Sequence, residues 1–177
     1  MKKIVFLMVL LIGLTAFKSE TNKPVESKIN WVTMNEALKA QEKNPKKILI
    51  DFYTDWCGWC KRLDKDVYEK ADMIKYINKN FYAVKFDAEG TEKVTYKGRE
   101  FTNPGYREGA RRNSTHQLAQ YFRVSGYPNT VFLDDDGAVL NQVPGYHKAP
   151  DFKMILEYFR SNSYKTTSFA DFKKNYK

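Results

Sequence analysis

Residues 51–63 read DFYTDWCGWCKRL and hold the only two cysteines of a 177-residue chain, Cys57 and Cys60. Upstream, Ile48 to Tyr53 is apolar apart from Asp51, the pattern of a strand buried on both faces. Downstream, a helix is expected to start at Cys57 and run past Leu63 and Val67. A cysteine at a helix N-terminus meets unpaired amide N–H groups and the positive end of the helix dipole, and both favour a thiolate. Cys60, three residues on, falls on the same helix face. A Cys-x-x-Cys pair at a strand-to-helix junction therefore reads as a dithiol redox motif. In that reading Cys57 is the nucleophile of disulfide exchange, and Cys60 is the resolving thiol that attacks the mixed disulfide held on Cys57.

Other uses of the pair stand beside this one. As a structural staple it closes a very short loop, which restricts the unfolded chain little. Zinc needs four ligands; Cys57, Cys60, His116 and His147 are of the right types, but the two histidines fall in different elements. Two thiolates also suit a soft-metal carrier of Cu(I). Asp51 is the second clue, because a carboxylate inside an apolar strand is costly and tends to protonate. The pleat sets Leu49, Asp51 and Tyr53 on one face, beneath the helix expected at Cys57. Asp51 is then either a group held by backbone or water, or the proton acceptor for Cys60 during exchange.

Length and composition allow one domain with a full core, since 42% of the residues are hydrophobic and 15% aromatic. The formal charge is +9, yet lysines and arginines are interspersed with acids and no recognition motif accompanies them. Nucleic acid is not an expected partner. The N-terminus, MKKIVFLMVLLIGLTAFKSE, carries Lys2 and Lys3 before an apolar run, Ile4 to Phe17, that is too short for an ordinary membrane span. This is a signal-peptide pattern over residues 1–17, with an uncleaved anchor as the alternative. Either way the folded part is expected outside the cytoplasm, in the periplasm or an equivalent compartment. Residues 18–28 are polar and read as a linker, and the domain is expected over 29–177.

Along that domain, Thr33-Met34-Asn35-Glu36 fits a capping box, and Asn44-Pro45 ends its helix. A break near Ala71-Asp72 precedes a short helix with Ile74 and Ile77. Phe81 to Phe86 reads as the next strand. Residues 94–101, VTYKGREF, suggest two short strands around Lys97-Gly98. Ser114-Thr115-His116-Gln117 resembles a second capping box. Thr130 to Leu133 and Ala138 to Val143 read as a hairpin around Asp136-Gly137. Pro150 suits a helix first turn, and Ser168 caps a last short helix. This order implies an α/β fold, a mixed central sheet with helices on both faces. The stretch 92–113 stands out as an insert. It is basic, and Tyr96, Phe101 and Tyr106 are expected to give it aromatic contact area for a partner.

These segments together resemble the thioredoxin superfamily. ILIDFYTDWCGWCK looks like its strand-to-active-site segment, in the spacing of Asp51 and in Trp56 before Cys57. SGYPNTVFLD (125–134) looks like the segment with a cis-proline, here Pro128. VPGYHK (143–148) resembles the later strand end whose glycine, here Gly145, borders the substrate groove. The likeness covers residues 29 to 160 and is nearest to extracytoplasmic thioredoxin-related proteins of Bacteroidetes type, which carry a similar insert and a FADFKK-like tail. It implies a thioredoxin fold with the insert before the cis-proline segment, and a protein-disulfide reductase exchanging electrons with protein thiols and disulfides. Trp56, Gly58, Trp59, Tyr127, Pro128 and Gly145 would line the groove. No cofactor is needed, because the cysteine pair carries the electrons. A membrane thiol-reductant would resupply them, and a monomer is expected. Two departures stand out: Gly58-Trp59 replaces the usual Gly-Pro, and the lysine often found beneath the site has no clear equivalent, its place by spacing to Asp87 falling to Ala83. Against an enzyme stands a binding module that keeps the fold without turnover.

Overall fold

The structure, a computed structural model, describes residues 26–176. The expected signal peptide and most of the expected linker lie outside the described residues. In chain order the elements are β1 (Trp31–Val32), α1 (Met34–Lys43), β2 (Ile48–Tyr53), α2 (Gly58–Leu63) running into a π-helical turn (Asp64–Tyr68), α3 (Ala71–Asn80) and β3 (Tyr82–Asp87). Then follow β4 (Val94–Tyr96), β5 (Arg99–Phe101), α4 (Gln117–Tyr121), β6 (Asn129–Leu133), β7 (Val139–Pro144), α5 (Ala149–Arg160) and α6 (Phe169–Asn175). The central sheet has the order β1-β3-β2-β6-β7, with β2 parallel to β3 and antiparallel to β6. The fold is a thioredoxin fold, a mixed sheet flanked by helices.

Local chemistry fixes the ends of the elements. The Thr33 hydroxyl accepts the Glu36 N–H at 3.2 Å while the Glu36 carboxylate accepts the Thr33 N–H at 2.8 Å, so the capping box is closed in both directions. Lys97 and Gly98 both take positive φ, the geometry of a tight two-residue hairpin turn between β4 and β5. Strand β3 starts one residue later than the pattern suggests, because Phe81 caps α3 and its N–H still donates to Ile77. Ser114 does not cap α4. Its hydroxyl donates to Asn103 Oδ1 at 2.6 Å, and His116 caps instead, accepting the Leu118 N–H on Nδ1 at 3.0 Å. With Nδ1 an acceptor, Nε2 carries the proton and donates to the Glu92 carbonyl at 2.7 Å.

Alternation along β2 divides the core. Ile48, Ile50 and Phe52 face α1 and α4, while Leu49 faces the Leu63–Val67 side of the site helix together with α3 and α5. The first face also takes in Val94, Tyr96 and Phe101, all buried. Burying each contributes about 2 kcal/mol. The β4–β5 hairpin is thus core, and the aromatic contact area expected of Tyr96 and Phe101 is spent internally. Of the three, Tyr106 alone is exposed.

Candidate active site

The site grows from the end of β2. The Thr54 carbonyl accepts the Cys57 N–H at 3.0 Å, a turn that sets Cys57 at the N-cap of α2. Its sulfur accepts the Cys60 N–H at 3.0 Å, one of the donors a helix start leaves unpaired. Cys57 and Cys60 are joined in a disulfide, S–S 2.06 Å, with Cα atoms 5.3 Å apart. Both cysteines are buried, and Gly58 between them is open: a side chain added there would meet nothing within 4 Å. Trp59 beside it is exposed, at 56%.

Asp51, on the strand that leads into the pair, is fully buried. Its cross-strand neighbours are Lys85 on β3 and Thr130 on β6. The Lys85 ammonium lies 2.6 Å from Asp51 Oδ2 and also donates to Asp64, which the π-helical turn brings over β3. The rings of Tyr53, Tyr68 and Trp31 surround that ammonium at 5.1–5.4 Å. Asp51 Oδ1 and the Tyr68 hydroxyl have no hydrogen-bond partner among the described residues. Burial raises the Asp51 pKa; Lys85 opposes that and Asp64 adds to it. Burial works against the Lys85 ammonium, but the two carboxylates outweigh it and raise its pKa. The expectation of no lysine here is therefore overturned. Ala83 pairs with Leu49, and the lysine that reaches the aspartate is Lys85, two positions along the same strand face. One oxygen of Asp51 is held in an ion pair with Lys85.

The rim is aromatic on both sides. The Tyr127–Pro128 bond is cis, and the Pro128 carbonyl accepts the Gly145 N–H at 2.8 Å, joining the start of β6 to the end of β7. Gly145 has φ +83°, a conformation that favours glycine. Tyr127 meets Trp56 edge-on, with centroids 6.0 Å apart. The Trp56 indole N–H donates to Glu89 at 3.1 Å, and the Arg112 guanidinium lies 4.2 Å over its ring. Between the cysteines, Trp59 packs on Tyr146 at 5.5 Å with Arg62 over both rings. A cavity of 250 Å³ opens there against Gly58, Trp59 and Arg62. Three separate segments thus supply the sequence-derived residues: 51–60, 127–128 and 145. The structure pairs Trp56 with Tyr127, and Pro128 with Gly145. His116 and His147 are not drawn into a set with the cysteines: both His116 nitrogens are bonded in the core, and His147 Nε2 lies 3.2 Å from the Pro144 carbonyl. Sequence reasoning missed Lys85, Asp64 and Arg112. For Lys85 the signal was present, a lysine at an inward position of an apolar strand; for Arg112 there was none, since its place depends on how the insert folds back.

A family model described as a thioredoxin-like domain matches residues 34–160. Among curated proteins, the disulfide bond reductase DsbH of Chlamydia pneumoniae is 21% identical over 68% of this chain. The thiol:disulfide interchange protein DsbD of Pectobacterium atrosepticum is 24% identical over 73% of it. The chain spans 66% of the length of the first and 19% of the second. A solved DsbH oxidoreductase superposes with a TM-score of 0.55 at 18% identity, over 78% of this chain and 90% of that one.

Proposed function

The chain belongs to the thioredoxin-like domain family, and on that premise we propose that it is an exported thiol-disulfide oxidoreductase working as a protein-disulfide reductase. The observation that carries this is the Cys57–Cys60 disulfide at the start of α2, following a strand that holds a buried, lysine-paired Asp51. In the reduced protein the Cys57 thiolate attacks a substrate disulfide, forming a mixed disulfide and releasing one substrate thiol. Cys60 gives its proton to Asp51 and attacks the Cys57 sulfur. The second substrate thiol leaves, the Cys57–Cys60 bond forms, and two electrons have passed to the substrate. Trp56, Gly58, Trp59, Tyr127, Pro128 and Gly145 line the groove where the substrate chain lies. A membrane thiol-reductant returns the pair to the dithiol. The likeness to the disulfide bond reductase DsbH supports the reductase direction, and the apolar N-terminus of the sequence supports the extracytoplasmic setting.

Insulin reduction with dithiothreitol as electron source tests the activity, and turnover is expected. A Cys60→Ser variant should accumulate mixed disulfides with substrate, and a Cys57→Ser variant should not. Equal trapping by both would reverse or remove the assignment of nucleophile. The direction is read from the reduction potential of the pair: a reductase is expected near the thioredoxin value of about −270 mV, and a value near −120 mV would make the protein an oxidant.

A further inference from the structure

We infer that the mouth of this site selects polypeptides carrying carboxylates on both sides of the target cysteine, read by Arg112 on one rim and Arg62 on the other. The inference deepens the oxidoreductase reading and rests on it for the identity of the mouth. Its basis is the state of the two guanidinium groups. Arg112 lies over Trp56 at 4.2 Å and has no carboxylate partner among the described residues. The nearby Glu89 accepts the Trp56 indole N–H on one oxygen and the Asn113 backbone N–H on the other, at 2.8 Å, and forms no ion pair with Arg112. Arg62 lies over Trp59 and Tyr146 and commits only its Nε to Asp66, at 3.2 Å. A guanidinium stacked on a ring loses little further freedom when it binds, and its remaining N–H fork fits a carboxylate in two-point fashion. The two forks stand on the two tryptophans of the cysteine segment: Trp56 directly precedes Cys57, and Trp59 lies between Cys57 and Cys60.

Binding can be read without turnover. The oxidised protein is titrated with short peptides whose single cysteine is S-methylated, so that no exchange occurs. One peptide carries Glu at two positions on each side of the cysteine, one Gln, one Lys, and one carries the same Glu residues moved to the far end. The flanking-Glu peptide should bind about fivefold tighter than the Gln peptide at low salt and lose that advantage at high salt. Arg112→Ala combined with Arg62→Ala should make the Glu and Gln peptides equal, and Arg112→Lys should restore only part of the preference. Equal binding of the Glu and Lys peptides, a preference that survives the double variant, no binding of any peptide, or equal binding when the Glu residues are remote would each overturn the inference. Failure of the protein to reduce insulin would remove the oxidoreductase reading but leave this preference to be measured.

Discussion

Asp51 keeps one carboxylate oxygen on the Lys85 ammonium and shares that ammonium with Asp64. A carboxyl raised by burial binds protons that the unfolded chain has already released. Its ionisation therefore costs stability as pH climbs from the ordinary 3.8 through the raised folded value. Lys85 offsets this cost. Lys85→Met should be close to wild type near pH 4 and less stable by about 3 kcal/mol at pH 7, as measured by urea denaturation, because a buried carboxylate then stands alone. A pH-independent loss would show that Lys85 acts through packing. Asp64→Asn removes a negative neighbour and leaves Lys85 to Asp51, which lowers the Asp51 pKa. The acid limb of the rate of mixed-disulfide resolution should move to lower pH in Asp64→Asn and disappear in Asp51→Asn. A limb unmoved by both changes would mean that Asp51 is not the proton acceptor. Asp51 was legible in the sequence because an acid in ILIDFY violates the pattern around it. Lys85 stood out only as a lysine inside an apolar strand; its role did not, because spacing to Asp87 pointed to Ala83, and only the strand register decides which side chain arrives opposite Asp51.

At the scale of elements, the strands and capped helices followed from local rules, as Thr33, Pro150 and Ser168 show. Where a local rule met a competing bond, it failed. Ser114 and Gln117 have capping-box spacing, but Asn103 claims the Ser114 hydroxyl, and Gln117 Oε1 accepts the Thr102 N–H at 3.0 Å. His116 takes over, buried edge-on against Phe86, and burial lowers its pKa from the ordinary 6.5 while its bond to Glu92 opposes the shift. A histidine with a lowered folded value adds stability that is present above 6.5 and lost as pH falls through the folded value. Protonation would also replace the Nδ1 lone pair that caps α4 with an N–H. Hydrogen exchange of the Leu118 amide should therefore accelerate relative to the amides of β2 as pH is lowered from 7 to 5, after correction for intrinsic rates. His116→Gln should abolish that pH dependence. An unchanged ratio in wild type would show that His116 does not open this element.

Across the whole molecule, the sheet separates two cores, and the segment that sequence reading set apart as an insert closes one of them. Phe101→Ala should cost about 3–5 kcal/mol in urea denaturation, the range for emptying a buried aromatic site. A loss under 1 kcal/mol would return the hairpin to the surface. Sequence alone misjudged this because three-residue strands carry too few side chains for alternation to show which face is buried. Beyond the hairpin, however, the chain behaves differently. Asn103 holds the Ser114 carbonyl at 2.8 Å while Ser114 holds Asn103 in return, and Gly105 passes so close to the Ser114 hydroxyl that an added Cβ would stand 2.6 Å from it. The ten residues from 104 to 113 thus hang from a closed neck that the fold has already drawn shut. Lengthening such a loop adds little closure entropy, about 0.6 kcal/mol for each doubling. The neck makes this stretch an exchangeable cassette: apart from Gly105 and Asn113, which belong to the neck, its letters, Arg112 among them, can drift or be redesigned to suit a new client while the cysteines and both cores stay as they are.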